Sequence, residues 1–186
     1  KALTVSISPS TQTLEYKANT GYFETELYSI TTSGEYTNYR VLAKGLPVEM
    51  DIVNQDGVVV TNSDIAPNSK FKLRIKSEDA NKAINIQLGA RVQYQKKVSD
   101  ELLPSNNKYQ KVTTLSTTPT QQDDDSLASA RLTIGNIDVE KTSDTGKVDG
   151  FSFALSGNGI DKTVVTDTSG KASFGALPVG SYTVSE

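Results

Sequence analysis

From Ile84 to Tyr94 this chain alternates without a break. Ile84, Ile86, Leu88, Ala90, Val92 and Tyr94 are separated by Asn85, Gln87, Gly89, Arg91 and Gln93. Side chains two apart on a strand share a face, so such a run predicts a strand with one face buried. The same period recurs on both sides of it. Leu3, Val5 and Ile7 open a strand that ends at Ser8-Pro9-Ser10, and Phe71, Leu73 and Ile75 alternate with Lys70, Lys72, Arg74 and Lys76. Asp56-Gly57, a strong hairpin dipeptide, stands between Met50–Val53 and Val58–Val60. Tyr36–Ala43 is a further extended run, closed by Lys44-Gly45-Leu46-Pro47. A helical period is hard to find, and Ser77–Lys82 allows at most a turn. Residues 1–118 are therefore expected to form an all-β sandwich.

From Pro119 to Ala130 the pattern lapses into Thr, Gln, three Asp, Ser and Ala, which predicts a solvated linker. Asp123–Asp125 lack the spacing and the following Gly of a calcium loop, so no metal is expected there. A second β pattern occupies 131–186: Leu132–Lys141, Phe151–Leu155, Thr163–Thr166, Ala172–Phe174 and Tyr182–Glu186, with turns between them. It stops inside a strand and is short for an independent core, so a last strand is expected to be missing. Lys1 is not an initiator residue, and the chain reads as a piece of something longer.

Composition narrows the chemistry. Of 186 residues none is Cys or His, which removes thiol nucleophiles, disulfides, zinc sites and His-dependent triads together. A net charge of -3 with scattered basic residues argues against nucleic-acid binding, and no apolar run reaches membrane-spanning length. No cofactor is implied. An extracellular protein without disulfides must obtain robustness another way.

Two charged residues stand where apolar ones belong. Ile137, Val139 and Lys141 alternate on one predicted strand, and Tyr182, Val184 and Glu186 on another. If the apolar members line a core, Lys141 and Glu186 point into it as well. Burying two charges is tolerable mainly when they meet. A buried lysine tends to lose its proton and a buried glutamate to gain one, which would leave the pair poised for chemistry within the protein.

The series Val139-Glu140-Lys141-Thr142, Asp144-Thr145-Gly146-Lys147, Gly150-Phe151-Ser152-Phe153-Ala154-Leu155, Thr166–Ala172 and Leu177–Glu186 resembles the collagen-adhesin B-type (CnaB, prealbumin-like) domain of Gram-positive pilins and adhesins. The resemblance implies that Lys141 forms an intramolecular isopeptide bond with an Asn or Asp on the last strand. Glu186 would assist as proton relay, and the partner would lie outside this chain. An apolar wall of Ile137, Val139 and Phe153 would favour the neutral amine. Residues 1–118 resemble, through shorter motifs such as Gly21-Tyr22-Phe23 and Asn68–Lys76, the β-rich C-terminal part of Cys-Gln thioester adhesin domains. The reactive Cys is absent, so no thioester is expected.

The reading is thus two β-sandwich (Ig-like/prealbumin-like) domains in tandem, 1–118 and 131–186, from a secreted cell-wall adhesin or pilin. The resemblance implies as partners a host extracellular-matrix protein or glycan and other modules of the same assembly. It implies no turnover enzyme, since an isopeptide forms once per molecule. A carbohydrate-binding β-sandwich module of a secreted glycosidase is the alternative, with Tyr22, Phe23, Tyr28, Tyr36 and Tyr39 as an aromatic platform, although residues so spaced more often pack in the core. A hydrolase would have to rely on paired carboxylates, and no motif positions them. The Lys70/Lys72/Arg74/Lys76 stripe is expected to protect a sheet edge, and Leu177–Gly180 and Leu103–Asn106 to be turns rather than sorting signals.

Overall fold

The computed structural model describes residues 3–94, 97–105, 108–115 and 120–186, with the backbone alone described through 126 from 97 onward. In chain order the strands are β1 (Val5–Ser8), β2 (Thr11–Thr13), β3 (Glu15–Lys17), β4 (Tyr22–Glu24), β5 (Ser29–Thr32), β6 (Asn38–Lys44), β7 (Asp51–Asn54), β8 (Phe71–Lys76) and β9 (Asn85–Tyr94). They continue with β10 (Lys97–Ser105), β11 (Lys108–Leu115), β12 (Thr120–Arg131), β13 (Ile134–Glu140), β14 (Ser152–Gly157), β15 (Ile160–Val165), β16 (Lys171–Pro178) and β17 (Thr183–Ser185). A 3₁₀ turn at Ser77–Lys82 is the one helical element among the described residues, and no helix is long and apolar enough to cross a membrane.

Two four-stranded sheets, β3-β4-β8-β7 and β2-β12-β9-β6, build the N-terminal part, and β1 pairs β5 beside them. Their inner faces meet in one hydrophobic cluster. Phe71, Leu73 and Ile75 of β8 and Ile86, Leu88, Ala90 and Val92 of β9 are fully buried in it, as the period-two pattern requires. Two tyrosines tie the layers. Tyr28 bridges to Phe71 and its hydroxyl donates to the Ser129 carbonyl on β12 at 2.7 Å. Tyr39 on β6 donates in the opposite sense to the Ser69 carbonyl beside β8. Burial pushes the pKa of both phenols up.

Local signals act where they were expected. Asn54 Oδ1 accepts from the Asp56 and Val58 amides, and Gly57 takes φ +78°, closing the hairpin after β7. Gly45 ends β6 at φ +79°, where a Cβ would lie 2.6 Å from the Asn85 carbonyl oxygen.

The expected linker is different. Residues 120–131 form β12, which pairs antiparallel with β9 and parallel with β2. Backbone hydrogen bonding and two small inward residues, buried Ala128 and Ala130, seat this polar stretch in the sheet without apolar periodicity. The register shifts between Asp124 and Ala128. Only Leu132 and Thr133 separate β12 from β13. Pro119 lies outside the described residues. The Lys72 stripe is also misplaced as an edge, because β8 runs between β4 and β7.

The C-terminal part is a smaller two-layer sandwich. β13 pairs β16, while β14 lies between β15 and β17. Leu155, Ile160, Phe174 and Leu177 are buried between the layers, with Ile137, Val139, Phe153, Val164 and Tyr182 packed around them. β16 runs through Leu177 and Pro178, so the expected turn begins only at Val179. Leu103–Ser105 likewise lies in β10 rather than in a turn, and Asn106 is outside the described residues.

Candidate functional site

Lys141 follows β13 and Glu186 follows β17, so each stands at the end of a different layer of the C-terminal sandwich. Lys141 Nζ donates to Glu186 Oε2 at 2.8 Å and to Oε1 at 3.1 Å. This side-chain contact therefore joins the two sheets.

Three local devices fix the lysine. Its backbone N–H donates to the Gly170 carbonyl at 2.7 Å. That carbonyl is presented by a turn in which Asp167 Oδ1 accepts from the Ser169 hydroxyl and from the Ser169 and Lys171 amides. These bonds, the Ser169 hydroxyl foremost, hold the Asp167 carboxyl below its ordinary pKa. Glycine is required at 170: its φ is +78° and a Cβ would lie 2.7 Å from the Lys141 carbonyl oxygen. On the other side, Phe151 offers its ring to Nζ at 4.5 Å from the centroid. Phe151 is itself pinned by buried Thr166. Its N–H donates to Thr166 Oγ1, its carbonyl accepts from the Thr166 N–H, and the Thr166 hydroxyl donates to the Val148 carbonyl.

Ile137, Val139 and Phe153, expected as an apolar wall beside the amine, pack against the core of the unit. The aromatic ring against the amine is Phe151, which sequence reasoning passed over although it stands two residues before Phe153. Depth is the other difference. The side chains of Lys141 and Glu186 are 21% and 49% exposed. Each lies one residue past the last paired position of its strand, so the alternation carries both to the rim rather than into the core. As they stand they form an ion pair, whose charged amine the Phe151 face stabilises. A carboxylate in contact with an amine can also take its proton, leaving a nucleophile.

The other candidates take structural places. Phe23, Tyr28 and Tyr39 are buried, Tyr22 lies under the Arg74 guanidinium at 4.7 Å, and the Tyr36 hydroxyl accepts from the Asn68 amide. They make no exposed aromatic platform. Lys72 is paired with Glu24 at 3.3 Å. The backbone of Asp123–Asp125 lies in β12, and their side chains are outside the described residues.

Residues 135–186 match the family model described as the SpaA prealbumin-like fold domain. Among solved structures, the chain is similar to the Bacillus anthracis TIE protein at 22% identity and TM-score 0.49, over 98% of this chain and 34% of that one. It is similar to the thioester domain of the Enterococcus faecium TIE86 protein at 18% identity and TM-score 0.47, over 71% of this chain and 44% of that one. The chain thus spans about a third of the first structure's length and under half of the second's. A comparison with curated proteins gave no match. Strand order, two-layer packing and the family match agree that residues 135–186 have a prealbumin-like fold.

Proposed function

We propose that this chain is a structural and adhesive segment of a Gram-positive surface adhesin or pilin. The N-terminal sandwich is borne on a stalk module in which Lys141 is built to acquire an isopeptide bond. The bidentate Lys141–Glu186 contact between the two layers carries the reading, because it supplies an amine and a proton acceptor in one place. The similarity of residues 135–186 to the SpaA domain supports it. β13 pairs only β16 among the described residues, so its other edge is open to an added strand.

On this reading Glu186 takes a proton from the Lys141 ammonium, and the free amine attacks the side-chain carbonyl carbon of an Asn delivered on that strand. The new C–N bond forms as the old one breaks. Glu186 returns that proton to the leaving nitrogen, which departs as ammonia, and its carboxylate then takes the second proton that the attacking nitrogen loses on becoming an amide; with Asp the leaving group is water. Proximity replaces an external catalyst, and the bond forms once per molecule, so the protein is not a turnover enzyme. The partners are then neighbouring modules and a host matrix protein or glycan, at the cell surface.

Trypsin mapping of the protein taken from the cell surface tests this. An acylated Lys141 cannot be cleaved at its carboxyl side, and the expected product is a branched peptide containing Lys141, lighter by ammonia or water than its two parts. Complete cleavage between Lys141 and Thr142 would sink the proposal. Lys141→Ala should abolish the branched product, and Glu186→Ala should slow its formation severely.

A further inference from the structure

Besides their covalent junction and the approach of β16 to the Ser77–Lys82 turn, the two parts of the chain touch at the tip of a hairpin. The β14–β15 hairpin turns at Asn158-Gly159, both at positive φ (+49° and +69°). Its tip meets the N-terminal sandwich. A Cβ on Gly159 would lie 2.6 Å from Ser77 Oγ, 2.8 Å from Ser77 Cβ and 3.5 Å from Tyr16 Cε1. Ser77 is buried and cannot easily yield. Its hydroxyl and its amide both donate to the Gly21 carbonyl, at 3.0 and 2.9 Å. Tyr16 is held edge-on against Phe23 at 5.5 Å. The notch is therefore rigid on the N-terminal side before the hairpin enters it. Gly21, Tyr22, Lys76 and Gly159 line an open cleft beside the contact.

The covalent junction is held to each part separately. Leu132 is buried in the N-terminal core and its N–H donates to the Ile84 carbonyl at 3.1 Å. The Thr133 carbonyl accepts from Val179 at 3.0 Å, on the C-terminal side. Each of the two junction residues is thus bonded to one of the parts it connects.

We propose that the Asn158-Gly159 tip is a docking key seated in a notch made by Tyr16, Gly21 and Ser77, so that the N-terminal sandwich and the prealbumin-like unit move as one rigid body. Glycine at 159 serves two ends: it permits the turn, and it lets the hairpin backbone approach the notch. A two-residue junction alone permits rotation about its backbone dihedrals, and the key, seated on the same Ser77–Lys82 turn that β16 approaches, is a separate point of attachment that prevents it. The inference rests on these contacts and not on any bond at Lys141, so either can fail without the other.

Backbone ¹⁵N relaxation of the whole chain tests it. The parent should give one rotational correlation time for both parts. Gly159→Ala should release the key, and the C-terminal part should then tumble faster than the N-terminal sandwich. Gly146→Ala is the control for strain: it is also at positive φ (+80°) in a turn of the same unit, but an added Cβ meets nothing within 4 Å. It should leave the common correlation time intact. Ser77→Gly removes both atoms that the new methyl would strike, and combined with Gly159→Ala it should restore common tumbling. If Gly159→Ala unfolds the unit, Ser77→Thr crowds the seat from the other wall and should release the key in the same way. Two correlation times in the parent, one in Gly159→Ala, equal loosening by Gly146→Ala, or no rescue by Ser77→Gly would each overturn the proposal.

Discussion

The two parts of this chain reach the same class of architecture by different means. The N-terminal sandwich holds a continuous cluster from Val5 to Leu132, with aromatic anchors such as Tyr28, Tyr39 and Phe71 fully buried. The C-terminal unit buries four hydrophobic residues, while Val165, Val179 and Val184 remain exposed. So few apolar side chains give a thin core. Its layers are joined in addition by polar links: Lys141 to Glu186, and Lys162 Nζ to the Phe174 carbonyl at 3.3 Å. Turn chemistry at Thr166 and Asp167 holds the ends of its strands. One region is specified by apolar periodicity, the other by turns and cross-layer contacts.

Removing one anchor from each core should separate the two regions most strongly. Phe71 stacks on Tyr28 at 5.3 Å, and Phe71→Ala should cost about 3–5 kcal/mol in urea unfolding. The sandwich should stay folded with a lowered midpoint. Leu155→Ala should cost about 2–5 kcal/mol, and in a core of four buried residues that should unfold the C-terminal unit at room temperature. Hydrogen exchange resolved by segment would show it. Protection of β14 and β16 surviving Leu155→Ala would mean that the polar links carry more than we assign to them.

This division also explains what was legible in the sequence. Alternation along β8 and β9 revealed the N-terminal core, because those strands bury one face against a deep cluster. β12 escaped, since its seat depends on backbone pairing and on the small side chains of Ala128 and Ala130, neither of which leaves an apolar pattern. The meeting of Lys141 and Glu186 was readable from their period and from the motif series. Their depth was not, because where a strand stops pairing is decided by its neighbours. Phe151 was passed over because its role comes from Thr166, fifteen residues away, which holds it at the entrance to β14.

Thr166→Val is the next test in size. The substitution keeps the shape but leaves the Phe151 amide and the Val148 carbonyl without their side-chain partner, at a cost of about 1–3 kcal/mol. Tyr28→Phe, its counterpart in the larger core, removes the single bond to the Ser129 carbonyl and should cost about 1 kcal/mol. If the order were reversed, the C-terminal unit would not depend on its turns as argued.

Lys141→Ala, in chain without a cross-link at that residue, should cost about 0–1 kcal/mol, since both partners are partly solvated. The loss should shrink further in high salt. A cost several times larger, insensitive to salt, would place the pair deeper than its exposure indicates.

The smallest effect distinguishes the two regions by acid titration. Among the described residues two carboxyls sit below their ordinary values: Glu26 of the N-terminal part, through its hydrogen bond and ion pair with Lys17 at 2.8 Å, and Asp167, through the Ser169 hydroxyl and the Lys171 amide. A depressed folded-state pKa means that the ionised group favours the folded state. Its contribution is complete above the ordinary value, 4.5 for Glu26 and 3.8 for Asp167, and is lost as pH falls below that value through the folded one. Stability against urea should therefore decline on acidification in both regions, beginning at higher pH in the N-terminal sandwich. Salt should separate them. The Glu26–Lys17 pair is exposed and screened, so its share of the pH dependence should fade at high ionic strength. Asp167 is held by short hydrogen bonds within its own turn, and its share should persist. Asp167→Asn keeps an acceptor at the same place without the charge, and should flatten the acid limb of the C-terminal unit alone. An acid limb there that survives Asp167→Asn, or that vanishes with salt in the parent, would show that the unit's acid sensitivity comes from its ion pairs and not from its turn.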